Sequence, residues 1–226
     1  MQLPILCYHK VSPHPSDGRW LNVHPHRLAQ HLRFFKRRGY SFNTVQELAH
    51  AWPTRGVCLT FDDAYTNAMN HGVEVLKANG GRATFYVVSE RVGTTSSWDG
   101  DKAAPLADWD LLIQAASDGH EIGNHTASHA HMGELSLDGQ VAEIKACGEA
   151  LESKGFQPAS FCFPYGDHSA NSSTALQKCG YTVGVVIGKR PATPNDPLLA
   201  LPRIVMAYGD SLPMLLYKLN VRPKLK

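Results

Sequence analysis

The sequence predicts an α/β fold built on a parallel sheet with crossover helices. Short apolar runs alternate with amphipathic stretches along the whole chain, the pattern of repeated strand–helix units. Most helical stretches carry their own start or stop signals. The polar residues best suited to chemistry fall just after apolar runs, which places them at the C-terminal ends of strands. The 226 residues, 43% hydrophobic and 19% charged, suit a single domain spanning residues 1–226 that buries its own core.

The first strand is expected over Leu3 to Tyr8, and a helix from about Pro25 to Arg38, with Leu28, Leu32 and Phe35 on one face and Gly39 as its stop. Thr44 and Glu47 form a capping box for a short helix ending near Trp52 and Pro53. Val57 to Phe61 reads as a buried strand, Tyr65 to Asn79 as a helix closed by Gly80 and Gly81, and Ala83 to Val88 as the next strand. Asp108 caps a helix running to Asp118, and His120 to Gly123 is a short strand. Helices are expected at Ser136 to Lys154, Ser172 to Lys178 and Ser211 to Leu219, and strands at Ser160 to Phe163, Tyr181 to Ile187 and Leu201 to Val205. About seven strands result, which an open doubly wound sheet or a small barrel would satisfy. Gly93 to Pro105 reads as a mobile surface loop with Trp98 at its tip, and the proline-rich Lys189 to Pro197 as a connector.

The net charge of +2 gives no electrostatic drive toward nucleic acid, which is excluded as an expected partner. The five cysteines are odd in number and include no CxxC pair, which argues against a disulfide framework and favours a reducing compartment. The N-terminus lacks a basic stretch followed by a long apolar one, and no apolar run approaches the ~18 residues of a membrane span. A cytoplasmic location is therefore expected, with export the alternative if residues precede Met1. Oligomeric state is not legible.

Two constellations carry chemistry. Thr60-Phe61-Asp62-Asp63 ends an apolar strand in adjacent carboxylates. Their repulsion is relieved if one binds a divalent cation and the other stays close enough to act as a base. A plain helix N-terminus with acidic residues near its dipole is the structural alternative. His125 and His129 stand four apart, which on a helix places both on one face. A solvated histidine pair is the alternative there. His131 is on the wrong face to join them. Asp63, His125 and His129 together would make a two-histidine, one-carboxylate triad with open positions, the pattern of a catalytic site. Zinc suits these ligands first, and nickel, cobalt and iron are compatible.

With Phe163-Pro164-Tyr165-Gly166, these segments resemble the first three motifs of the NodB-type polysaccharide deacetylases, carbohydrate esterase family four. The resemblance runs from about Pro4 to Val205 and implies a distorted (β/α)7 barrel, the NodB homology domain. It implies that Asp63, His125 and His129 hold the metal, that Asp62 is the general base and that the Tyr165 N–H faces the oxyanion. The chain departs from the common pattern at Ala64, where glycine is usual, and at Phe161, where arginine opens the third motif. The late leucine-histidine motif is absent near the C-terminus. Ile5-Leu6-Cys7-Tyr8-His9 and Leu201-Pro202-Arg203-Ile204 resemble the circularly permuted poly-N-acetylglucosamine deacetylases, which implies His9 as general acid. Arg203 is then expected to replace the missing arginine and pair with Asp62, and Asp196 is a candidate to orient His9. Pro164, Tyr165 and Trp98 are candidate substrate contacts, whereas Trp109 begins a helix and reads as packing.

The implied activity is metal-dependent removal of N-acetyl groups from an amino sugar in a polysaccharide, oligosaccharide or glycolipid. Deformylation or deacetylation of a lipid- or nucleotide-linked sugar is a rival, favoured by the lack of a signal peptide. O-acetyl ester hydrolysis is another. A non-catalytic sugar-binding protein on a degenerate deacetylase fold is a third, and the intact Asp62, Asp63, His125 and His129 argue against it.

Overall fold

The elements form largely where the hydrophobic pattern places them. The computed structural model describes residues 2–224. In chain order they are β1 (Ile5–Tyr8), β2 (Lys10–Val11), β3 (Asn22–Val23), α1 (Pro25–Arg37), β4 (Ser41–Asn43), β5 (Gly56–Phe61), α2 (Val73–Asn79), β6 (Thr84–Val87), α3 (Trp109–Ser117), β7 (Glu121–Asn124), α4 (Leu137–Glu152), β8 (Ser160–Cys162), α5 (Ser172–Lys178), β9 (Val183–Gly188), β10 (Leu201–Val205) and α6 (Leu212–Asn220). The caps act as expected. Asp108 Oδ1 accepts the Leu111 N–H at 2.9 Å at the start of α3, and Ser136 Oγ that of Gly139 at 3.2 Å at the start of α4.

The sheet closes. Its strands run β1-β10-β9-β8-β7-β6-β5, all in parallel pairs, and β5 returns to β1 with Ile5 opposite Cys58 and Tyr8 opposite Phe61. The architecture is a seven-stranded (β/α) barrel, which removes the open-sheet alternative. The barrel is uneven. The start of β5 pairs with β4 (Ser41 opposite Gly56), and its end pairs with β6 (Phe61 opposite Phe85). Strands β7 and β8 meet at the single pair Asn124 and Phe161.

Period-two alternation sorts the side chains. One set, including Ile5, Cys58, Tyr86, Cys162, Val185 and Leu201, packs together as an apolar cluster. The other set, including Leu6, Tyr8, Leu59, Phe61 and Phe85, packs against Leu28, Leu32 and Phe35 of α1. Continuing the first alternation toward the strand ends leads from Ile5 to Cys7 and His9, from Cys58 to Thr60 and Asp62, and from Leu201 to Arg203. The chemistry-bearing residues therefore cap an apolar barrel floor.

Three expectations are corrected. The helix expected from Tyr65 contains a wide π-type turn at Ala68–Gly72 before α2 begins. The Thr44–Glu47 capping box is half made: Glu47 Oε2 accepts the Thr44 N–H at 3.3 Å, but the Thr44 hydroxyl is unpartnered and only a 3-10 turn, Gln46–Ala49, follows. The Gly93–Pro105 segment is pinned rather than free. Tyr65 Oη and Ser96 Oγ both donate to Asp99 Oδ2, at 2.7 and 2.8 Å, and Trp98 is half-buried.

Candidate active site

The base candidate is clamped from β10. Arg203 is wholly buried, and its two terminal nitrogens meet the two Asp62 oxygens at 2.5 and 2.7 Å. The fork geometry of guanidinium suits this bidentate contact. Arg203 Nη1 also donates to Thr60 Oγ1 at 2.9 Å, and Nη2 lies 3.0 Å from Cys162 Sγ. Burial pushes the Asp62 carboxyl up, but the adjacent guanidinium outweighs it and holds the group down to about 2. The carboxylate is thus ionised and aimed. Cys7 Sγ donates to Asp62 Oδ2 at 3.4 Å, and His9 Nε2 stands 3.9 Å from the same oxygen. Asp196 does not orient His9. It is bound bidentately by Arg190 at 2.6 and 2.8 Å and caps Thr193, while His9 Nδ1 is buried without a partner.

The second cluster joins the ends of β5 and β7. Asp63 Oδ1 lies 3.3 Å from His125 Nε2 and 3.2 Å from His129 Nε2. All three residues are buried. The two histidines are not on a helix, contrary to the spacing argument. They lie on an irregular segment after β7 in which Thr126 and His129 take φ of 70° and 68°. Side chains hold that shape. Asn124 Oδ1 accepts the Thr126 N–H at 2.9 Å, Thr126 Oγ1 accepts that of His129 at 3.0 Å, and Glu143 Oε2 accepts those of Ala127 and Ser128 at 3.0 and 2.9 Å. His125 Nδ1 donates to the Cys162 carbonyl at 2.8 Å, which turns Nε2 toward Asp63 and, in the neutral ring, leaves its lone pair for a cation.

The residues fit a metal. Asp63 Oδ1 is buried and makes no hydrogen bond, although two imidazole nitrogens flank it. Donors held at ~2.1 Å by a tetrahedral cation stand about 3.4 Å apart, close to the separations found. Asp62 is already filled by Arg203, which leaves the Asp63 cluster as the open one. Sequence reasoning missed Glu143 and the Cys162 carbonyl. No local motif marks either, whereas the Asn124 turn is the kind that Asn readily forms two residues ahead of itself.

Aromatic rings wall the cluster. Trp98 stacks on His129 at 4.0 Å and 14°, and Tyr165 meets the same ring edge-on at 4.6 Å. Tyr165 is held at φ 60° after the buried Pro164, and the residue is 47% exposed. His131 is no ligand here; it stacks on Tyr165 at 4.0 Å. Trp109 packs beside Phe156, as expected of a packing residue. Ala64, at φ 51°, occupies a left-handed position that glycine would hold without strain.

Fold and site define a class: barrel proteins that gather side chains suited to metal binding at the C-terminal rim of a parallel barrel. Comparison with known proteins narrows it. The profile of the polysaccharide deacetylase family matches residues 50–184, and the chain belongs to that family. It is 25% identical over 217 residues to YxkH of Bacillus subtilis (strain 168), named for the polysaccharide deacetylases, covering 93% of this chain and 73% of that protein. A chitin deacetylase of Colletotrichum lindemuthianum is 28% identical over 128 residues, 56% of this chain and 48% of that one. The deacetylase PplD of Streptococcus pyogenes, solved in complex with acetate, superposes with a TM-score of 0.82 at 25% identity, covering 96% of this chain and 98% of that chain.

Proposed function

We propose that the protein is a metal-dependent N-deacetylase acting on an acetylated amino sugar. The observation that carries this is the pairing of an orphaned Asp63–His125–His129 cluster with an arginine-clamped, ionised Asp62 beside it. The family membership and the acetate-bound relative agree with it.

Asp63, His125 and His129 would hold the cation, zinc by ligand preference. When bound, such an ion supplies Lewis acidity toward an acyl oxygen and acidifies water. The chain's own groups do the rest. Asp62 accepts the proton of the attacking water, with Arg203 keeping it charged and fixing its direction. The Tyr165 N–H, presented by the left-handed turn after Pro164, stabilises the oxyanion. His9, whose Nε2 stands 3.9 Å from Asp62 Oδ2, gives its proton to the departing amine. Amines leave poorly unless protonated, so an acid near the base suits amides more than activated esters. Trp98 and Tyr165 border the acyl site and exclude water from it.

The test is Asp62→Asn. It is expected to abolish acetate release from N-acetylated chitin oligomers while the protein still takes up one zinc per chain. Loss of zinc instead would show that the two aspartates have exchanged roles, and unchanged acetate release would overturn the reading.

A further inference from the structure

The C-terminal end of β1 carries a second set of ligand-type side chains, separate from the Asp63 cluster. Strand period two puts Cys7 and His9 on one face of the chain there. The parallel register sets Cys7 opposite Thr60, and the Asp62 N–H donates to the Tyr8 carbonyl at 2.9 Å. Asp62 is thereby held level with both. One donor atom each from Cys7, His9 and Asp62 lie within 4.8 Å of one another. Cys7 Sγ is 3.4 Å from Asp62 Oδ2, and His9 Nε2 is 3.9 Å from the same oxygen. Around a tetrahedral cation, sulfur at ~2.3 Å and nitrogen or oxygen at ~2.1 Å stand roughly 3.4–3.6 Å apart. Small side-chain movements would close the arrangement on an ion.

These groups are poorly satisfied as they stand. His9 Nδ1 is buried without a partner, and at 3.9 Å its Nε2 makes no hydrogen bond to Asp62. The Cys7 thiol spends its proton on a weak S–H bond to Oδ2. A cation replacing that proton would take the lone pair the thiol now fills, forming a sulfur–metal bond as the proton leaves to solvent. A carboxylate oxygen accepts two contacts, so Arg203 can keep its fork on Asp62 meanwhile. The His9 side chain, 13% exposed, gives the way in to the fully buried Cys7. Thiolate and imidazole select a soft or borderline cation, zinc or cadmium, over magnesium or calcium. Burial holds the Cys7 thiol protonated, and the adjacent Arg203 repels a second positive charge. The set therefore fills after the Asp63 cluster, where no thiol proton must leave and no arginine is bound.

We propose that Cys7, His9 and Asp62 form a second, inhibitory site for a thiophilic divalent cation, so that zinc beyond the first equivalent switches the enzyme off. An ion held there takes the base and the acid out of proton transfer together. The inhibition rests on the deacetylase reading, whereas the cation site stands without it.

Cadmium is the probe, because its bond to thiolate gives an ultraviolet charge-transfer band and the Asp63 cluster holds no thiol. Zinc-loaded Cys179→Ser protein, which lacks the one cysteine that is not buried, is titrated with cadmium. A band saturating at one ion per chain is expected, retained on adding Cys162→Ser and lost on adding Cys7→Ser. Losing a residue that merely orients a ligand costs ~10–100-fold in metal affinity, so His9→Ala, which leaves the thiol in place, should weaken cadmium by roughly ten-fold or more. Acetate release from a chitin tetramer, each protein compared with itself at one zinc per chain, should fall in excess zinc. Cys7→Ser should raise the inhibiting zinc concentration by roughly ten-fold or more. No band, a band that survives Cys7→Ser or vanishes with Cys162→Ser, or undiminished cadmium affinity in His9→Ala would overturn the site. Absence of inhibition, or inhibition unmoved by Cys7→Ser, would overturn its inhibitory role. A Cys7-dependent band without acetate release at any zinc level supports the cation site and removes the deacetylase reading.

Discussion

Glu143 is the residue whose removal should loosen the metal cluster without touching it. It stands on α4, and its Oε1 accepts the Ser128 hydroxyl at 2.8 Å in addition to the two backbone N–H groups at 3.0 and 2.9 Å. The segment it grips carries His125 and His129 and includes two non-glycine residues at positive φ. Each left-handed residue costs ~1–2 kcal/mol, and hydrogen bonds to a charged acceptor return ~1.5–3 kcal/mol each. In Glu143→Ala, water can replace the lost partner at the half-buried Ser128, but not at Ala127, which is 3% exposed. Counting the Ala127 bond alone, the closed segment loses about 2 kcal/mol, or roughly 30-fold in a metal-binding constant. Chelator competition for zinc reads this directly, with urea unfolding run beside it to confirm that the variant folds. Glu143→Gln, which keeps one carbonyl acceptor, should recover part of the loss. A folded Glu143→Ala protein with wild-type zinc affinity would refute the role given to this carboxylate.

His9→Ala should keep zinc and lower kcat on acetamido sugars by roughly 10²-fold or more, with a smaller loss on an activated acetyl ester; equal losses on both would remove the general-acid role. Buried His31, bonded to Tyr8 Oη at 3.0 Å and to the Asp210 carbonyl at 2.9 Å, is held down to about 4 by burial. The unfolded chain therefore binds this proton first. The stability is fully present above pH ~6.5 and is lost as pH falls toward 4, by up to ~3 kcal/mol; urea unfolding of His31→Gln should show a flatter dependence over that window. Ala64→Gly should raise stability by ~1 kcal/mol or less, the relief of a left-handed alanine reduced by the entropy of a more flexible unfolded chain, and thermal melts would show the sign.

Much of the fold was legible because local signals and burial agree. Asp108, Ser136 and Pro25 start helices where their chemistry says they should, and the apolar runs at β5 and at β9 as far as Val186 are buried on both faces. Closure of the sheet was not legible from pattern, since it depends on β1 pairing with both β5 and β10. The site was legible to the extent that it lies in contiguous motifs: Asp62, Asp63, His125 and His129 converge. How they converge was not. Spacing of four suggested a helix, but Thr126 and His129 turn left-handed because Asn124, Thr126 and Glu143 bond the backbone there. The composition of Gly93–Pro105 points to a mobile tip at Trp98, whereas Asp99, one residue on, is tied to Tyr65 and Ser96, and the indole stacks on His129. Asp196, a candidate to orient His9, is held by Arg190 instead. The Glu143 and Tyr65 contacts join residues 15 or more positions apart, which local spacing does not reveal.

The most direct test of the central claim is a metal titration that reads acetate. Chelator-treated protein is given increasing zinc in the presence of an N-acetylated chitin tetramer, and free acetate is measured at each addition. Acetate release is expected to be negligible without metal, to rise with added zinc and to saturate near one ion per chain, with no rise in a His125→Ala/His129→Ala variant. Full release from the metal-free protein, or none from protein shown to hold one zinc, would contradict the account.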